Sequence, residues 1–274
     1  MNPATLPLPL PPQQPQEVER LTAGQWQALL EAPATLALPW MQAAAALGHA
    51  GAQAVLGQWL LDGHGTTADA PAALASFLKA AGQGHAMGMN MAGRCYENGW
   101  GTPADPQAAV RWFRQAADRG LDAGLYNLAN QFAAGTGVLR SDAQALVLYQ
   151  RAAAMGHAKS WTKAGRHHEE GLATPRDAEQ ALEHYRRGAE GGDFRGQYHY
   201  ARMLAERGRM EEALPWLRRV PATATPRFLE EAGRLLAASP DARVRAVSDE
   251  MLARAAAASA DSSADTGPLD GEPA

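Results

Sequence analysis

The densest run of chemically capable side chains is His167-His168-Glu169-Glu170. Imidazole and carboxylate are zinc-ligand types. On a helix, however, consecutive residues point about 100° apart, so four in a row do not converge on one ion. A zinc site takes ligands at i and i+4 or from several segments, and His184 and His199 would have to join from later helices. The expectation is no metal, with His168 a core substitute and His167, Glu169 and Glu170 partly solvated. Three Gly-x-Gly loops, Gly63-His64-Gly65, Gly99-Trp100-Gly101 and Gly135-Thr136-Gly137, invite comparison with phosphate loops. A phosphate loop runs from a strand into a helix N-terminus, whereas these follow helices and recur. Cys95 is the single cysteine. It excludes an intrachain disulfide and a cysteine zinc site, and without a placed base it reads as a small buried apolar group. No catalytic residue, metal or cofactor is expected.

His49, His85 and His157 each follow a glycine, and that repetition marks structure. Gly48, Gly84, Gly120, Gly156 and Gly192 fall at a constant step of 36 residues. Five more columns keep the step. One is large, at Met41, Phe77, Phe113, Tyr149 and Tyr185. Two are small, at Ala44, Ala80, Ala116, Ala152 and Gly188 and one residue further on. Six columns in register define a repeat. Each unit predicts two helices: a first over 52–62, 88–98, 124–134, 160–170 and 196–206, and a second over 70–82, 106–118, 142–154 and 178–190. Asp69, Asp105, Ser141 and Asp177 stand where N-caps belong, and the recurring glycine closes each second helix. The histidines then serve as loop packing or helix-end contacts. Small residues let the helices cross closely, the aromatic column fills the groove beside them, and each pair must stack on its neighbours.

This predicts an all-α fold, a right-handed α/α solenoid superhelix. Residues 1–16 form a Pro-rich disordered arm, 17–51 capping helices, 52–220 the repeats, 221–258 further capping helices, and 259–274 a disordered tail. The fifth unit has a shortened loop at Ala205-Glu206-Arg207-Gly208-Arg209. Of 274 residues 46% are hydrophobic, and 25 basic against 29 acidic residues give a net charge of −4. Near balance leaves no footprint for nucleic acid. Five prolines among the first twelve residues interrupt any secretory signal. No apolar run approaches the roughly 20 residues that span a bilayer, so the expectation is a cytoplasmic protein without membrane insertion.

The clearest unit, residues 92–121, resembles the Sel-one-like repeat family, a longer-looped relative of the tetratricopeptide repeats. Gly93, Tyr96, Gly99, Gly101, Asp105, Ala109, Trp112, Phe113, Ala116, Ala117 and Gly120 carry the match. The likeness covers roughly residues 36–220. It departs where His168 replaces the aromatic, where Ala173 replaces the second loop glycine, and in the truncated fifth unit. The resemblance implies an adaptor or scaffold for a protein or peptide, with no shared catalytic residues. It also admits a regulatory or chaperone-like protein of one bacterial pathway, iron uptake included, although no residue points there. A metal-dependent enzyme would need ligands converging from several helices.

In such solenoids the first helices line an inner groove. One first-helix column, Gln58, Arg94, Asn130, Arg166 and Arg202, lies between the core columns. One turn earlier runs Ala54, Asn90, Tyr126, Thr162 and Tyr198. The expected binding residues are Asn90, Arg94, Tyr126, Asn130, Arg166, Tyr198 and Arg202, facing a partner segment that carries carboxylates. The competing expectation is a solvated face with Arg94–Glu97 and Arg166–Glu169 pairs within each helix.

Overall fold

The computed structural model describes residues 11–264, which are helical with no strand among them. A 3-10 turn at Pro15–Arg20 precedes α1 (Ala23–Glu31) and α2 (Ala34–Ala46). Eight helices of equal length follow: α3 (Ala50–Asp62), α4 (Ala70–Gly82), α5 (Ala86–Asn98), α6 (Pro106–Asp118), α7 (Asp122–Ala134), α8 (Asp142–Ala154), α9 (Ala158–Glu170) and α10 (Ala178–Glu190). Then come α11 (Phe194–Glu206), α12 (Met210–Leu217), α13 (Val220–Thr223), α14 (Pro226–Leu236) and α15 (Ala242–Ala264). The chain divides into two compact units, Met1–Ala152 and Ala153–Ala274, with the boundary inside α8. Residues 1–10 of the expected arm and 265–274 of the expected tail lie outside the described residues. Within them, α15 continues past the expected helix end at 258.

Local chemistry sets the helix ends. Asp69, Asp105 and Asp177 accept the backbone N–H groups of Ala72, Ala108 and Gln180, and the Ser141 hydroxyl accepts that of Gln144. The first helices start two residues earlier than expected, with the residue after each column glycine at the N-cap. His85 Nδ1 accepts the Gly88 N–H at 3.1 Å, His157 Nδ1 lies 2.8 Å from the Ser160 hydroxyl, and Asp193 accepts from Gly196. His85 and His157 are therefore helix-end contacts, whereas the His49 side chain does not cap α3. At the other end of α6, Gly120 lies at φ +77, where Leu121 N–H returns to the Ala116 carbonyl and Gly120 N–H to Ala117. This left-handed closure recurs at Gly84 and Gly192 and explains the glycine column.

In the first unit each helix from α2 to α6 packs on the next, and the first helices α3, α5 and α7 also touch in order. In the second unit α9, α10, α11 and α12 pack in sequence, α9 touches α11, and α14 lies along α15. The aromatic column is the core: Phe77, Phe113, Tyr149 and Tyr185 are buried, as is Met41. A Cβ at Gly93 would stand 2.6 Å from two ring carbons of Phe113, and one at Gly57 equally close to Phe77. A Cβ at Gly124 would stand 2.8 Å from Ala116 Cβ and Ala117 N, so α7 rests almost directly on the backbone of α6.

The first-helix face as a candidate binding surface

The candidate residues lie in both units. In the first unit, Arg94 of α5 is half-buried, its guanidinium 5.0 Å from the centre of the Trp100 ring that its own loop supplies. It makes no ion pair among the described residues. Asn90, one turn earlier, is buried and its side-chain oxygen accepts from Asn127 Nδ2 of α7 at 2.8 Å. Tyr126 of α7 has its ring 6.0 Å from that of Tyr149, whose hydroxyl donates to Asn130 Oδ1 at 2.7 Å. Asn90 thus does not stand open on a groove wall. It faces α7, the next first helix, and pairs with it.

The same forward pairing replaces one expected contact in each unit. Glu97 does not pair with Arg94; it accepts from Gln131 Nε2 of α7 at 2.5 Å. Glu169 does not pair with Arg166; it accepts from Arg202 of α11 and from the Tyr185 hydroxyl at 2.6 Å. Burial opposes ionisation of Glu169, but the bonds from Tyr185 and Arg202 outweigh it and hold the carboxyl below the usual range. Arg166 instead pairs with Glu170 at 2.7 Å. Arg202 binds Glu206 at 2.7 Å as well as Glu169. Tyr198 is buried, edge-on to Phe228.

The run at 167–170 fans out as its helical placement requires. His167 Nδ1 lies 2.9 Å from the Lys163 carbonyl, and His168 stacks on His184 at 5.0 Å. His199 stacks on Tyr185 at 4.9 Å. Burial, aided by His168 and Arg187, holds His184 at about 4. Burial, aided by Arg202, holds His199 at about 4. Both are neutral packing groups at ordinary pH. Among the described residues, no three His, Cys, Asp or Glu side chains are grouped so as to hold a metal ion. Cys95 is buried, and its burial pushes the thiol up to about 11 against the pull of Arg94.

Sequence reasoning missed two concavities. In the second unit, Tyr198 and Arg202 are among the residues lining a pocket of about 170 Å³ between α11, α12 and the α14–α15 connection. Its only advance signal is the shortened fifth loop, which places Met210 there. In the first unit, a largely apolar cleft of about 400 Å³ opens on the second-helix side, lined by Leu128, Phe132, Val147 and Leu148. Val147 is the large apolar member of a column otherwise held by Ala75, Arg111 and Glu183, and it is exposed.

Known proteins share this arrangement. The Sel1 repeat matches residues 34–49, 50–85, 86–121, 122–157 and 162–193, more than half of the chain. A Sel1 repeat protein from Oxalobacter formigenes is 25% identical with a TM-score of 0.74, over 88% of this chain and 99% of that one. The c5321 protein, a protective antigen present in uropathogenic Escherichia coli strains that displays an SLR fold, is 26% identical with a TM-score of 0.66 over 89% of this chain. This chain spans 54% of that antigen's length. The immunity protein Pa5087 from Pseudomonas aeruginosa shares the fold at 17% identity and a TM-score of 0.54, over 82% of this chain and 89% of that one. No curated protein matches the chain. Five matched repeats, the 36-residue step and the capped helix pairs together place it: this chain belongs to the Sel1 repeat family.

Proposed function

We propose that this protein is a scaffold or adaptor that holds a segment of a partner protein against the face of its first helices. Sel1 repeat proteins generally mediate protein–protein interactions, and theirs is typically a non-catalytic scaffold fold. The observation that carries the reading is Arg94. It is a guanidinium on the repeat's first-helix column, braced by Trp100, with no carboxylate partner among the described residues. A planar donor fork held in place this way suits a partner's carboxylate. In the first unit Tyr126 and Asn130 supply further polar and aromatic groups, with buried Asn90 behind them; in the second, Arg166 and Arg202 do, with buried Tyr198 behind them. No helix among the described residues is long and apolar enough to cross a membrane. We place the protein in the cytoplasm, as a bacterial adaptor. A regulatory or chaperone-like role in one pathway would use the same surface.

The apolar cleft at Phe132, Val147 and Leu148 favours a second reading, docking on the second-helix side. One experiment separates the two. The partner is identified by affinity capture and mass spectrometry. Its recovery is then compared for Arg94→Ala/Arg166→Ala/Arg202→Ala and Arg111→Ala/Arg151→Ala/Arg187→Ala, both checked for native helicity. Loss with the first variant alone, and weakening by salt, are the expected results. Equal recovery by both removes the first-helix face from the reading, and loss with the second alone moves the site to the other face.

A further inference from the structure

The apolar cleft of the first unit carries a single charged group on its lining. Buried Leu128 and Phe132 line it from α7, exposed Val147 and half-buried Leu148 from α8, and Arg114 from α6. The other polar lining residue, Gln144, is uncharged. The equivalent positions one repeat earlier hold the larger Arg111 and Trp112, whereas Val147 and Leu148 leave about 400 Å³ open. An apolar cavity of about 150 Å³ takes a benzene-sized molecule, so this cleft has room for an aliphatic side chain and its neighbour. Arg114 makes no ion pair and no hydrogen bond among the described residues. The other charges of α6, α7, α8 and their connections stand off the cleft. Arg111 pairs with Asp105 at 3.7 Å and Arg140 with Asp142 at 3.1 Å. Arg119 donates to the Gly84 carbonyl, and the Asp122 carboxylate accepts the Ala123 N–H. Asp118, one turn beyond Arg114, and Arg151, one turn beyond Val147, make no ion pair among the described residues. With the two pairs set aside, Arg114, Arg119 and Arg151 outnumber Asp118 and Asp122, and Arg114 alone of the five meets the cleft. An apolar group arriving with a carboxylate beside it finds a partner for each, whereas a basic group meets a cation.

We infer that this cleft is a docking site for a partner segment that seats one aliphatic side chain against Phe132, Val147 and Leu148 and places the carboxylate of an adjacent acidic residue on Arg114. The inference deepens the reading of docking on the second-helix side and rests on it. The first unit then offers acidic segments two supports of different kinds: Arg94 braced by Trp100, and Arg114 beside an apolar cleft.

The test uses the full chain with 13C-methyl valine and reads the Val147 resonance, assigned by Val147→Ile. The probes are the capped dipeptides N-acetyl-Leu-Glu-amide, N-acetyl-Leu-Gln-amide, N-acetyl-Leu-Lys-amide and N-acetyl-Gly-Glu-amide. The Leu-Glu probe should shift Val147 saturably and bind about threefold more tightly than its uncharged counterpart Leu-Gln, the size of one solvent-exposed ion pair. Leu-Lys should bind more weakly than both, and Gly-Glu should leave Val147 unmoved. Leu148→Trp, which installs the side chain of the preceding repeat and fills the cleft, should abolish the shift. Arg114→Gln, at an exposed position, should bring Leu-Glu and Leu-Gln to equal affinity. Both variants are checked for native helicity. The proposal is overturned if Leu-Gln or Leu-Lys binds as tightly as Leu-Glu to the unaltered protein, if no probe moves Val147, or if the preference for Leu-Glu survives Arg114→Gln. The reading of that face is judged separately by partner recovery. Recovery lost with Arg111→Ala/Arg151→Ala/Arg187→Ala but kept in Leu148→Trp would sink the cleft and leave docking on that face standing. Recovery kept in both would remove the face and the proposal with it.

Discussion

Gly93→Ala adds one methyl group at a confined helix crossing of the first unit. Its carbon would stand 2.6 Å from Cδ1 and Cε1 of Phe113, about 1 Å inside an ordinary carbon–carbon contact. The ring is wholly buried, so it cannot swing into solvent and must displace its neighbours. Overpacking of this kind costs about 1–3 kcal/mol. Against it stands a gain of about 1 kcal/mol, since alanine is the better helix former. Gly51→Ala isolates that gain: it lies in α3 with nothing within 4 Å of the added carbon. It should be neutral or stabilising by up to about 1 kcal/mol, somewhat less for its place in the first turn. The difference between the two variants therefore reads the overlap alone, at about 1–3 kcal/mol. For a unit of this size that corresponds to roughly 2–4 °C per kcal/mol in melting temperature. Urea and thermal unfolding measure it, with amide exchange of α5 and α6 assigning the effect to this unit. Adding Phe113→Leu to Gly93→Ala should recover part of the loss as a favourable coupling. The third repeat already carries Ala129 in this column, with Tyr149 as its aromatic, so the column tolerates a methyl where the ring is seated for it. If Gly93→Ala raises the unfolding midpoint as much as Gly51→Ala, the close seating of Phe113 on α5 is wrong.

Two further outcomes are expected. Ala173 lies at φ +59 in a loop column otherwise held by Gly65, Gly101 and Gly137, so Ala173→Gly should stabilise the second unit by about 1 kcal/mol in urea unfolding, and an unchanged or lower midpoint would contradict a strained backbone there. His184 and His199 are held at about 4 by burial and ionise near 6.5 when unfolded, so the unfolded chain binds more protons between those values. Stability is complete above about pH 6.5 and falls as the pH drops toward 4, by at most about 3 kcal/mol per ring, and amide exchange in α9–α11 should quicken over that window while His184→Phe blunts the response.

Much of the fold was legible because the 36-residue step repeats both packing and capping. The second helices follow their aspartate caps and end at the column glycines as expected, from Ala70–Gly82 through Ala178–Glu190. The first helices begin two residues earlier, and their N-cap position carries no uniform signal: His85 and Asp193 cap with their side chains, whereas His49, Leu121 and His157 do not. The arginine column was legible as a face, but its partners were not. A column tells which way Asn90 or Glu97 points, not whether the side chain of the next helix reaches it. Asn127 and Gln131 do, over 37 and 34 residues of sequence. The pocket beside Tyr198 was only half legible: Tyr198 and Arg202 stand in columns, but Leu236 and Val244 belong to helices that do not repeat.

Those forward bonds bear on how such an array can evolve. Asn90 with Asn127, Glu97 with Gln131 and Glu169 with Arg202 each join a residue of one repeat to a residue at a different column position in the next. The apolar columns are interchangeable, and by themselves they would let any repeat be duplicated, deleted or moved. The polar pairs are not. A copied second repeat would bring Asn90 and Glu97 beside a neighbour lacking their donors, and buried Asn90 left unbonded would cost about 1–3 kcal/mol. The pairs thus act as order labels: recombination can lengthen this array at its ends more readily than it can shuffle its middle.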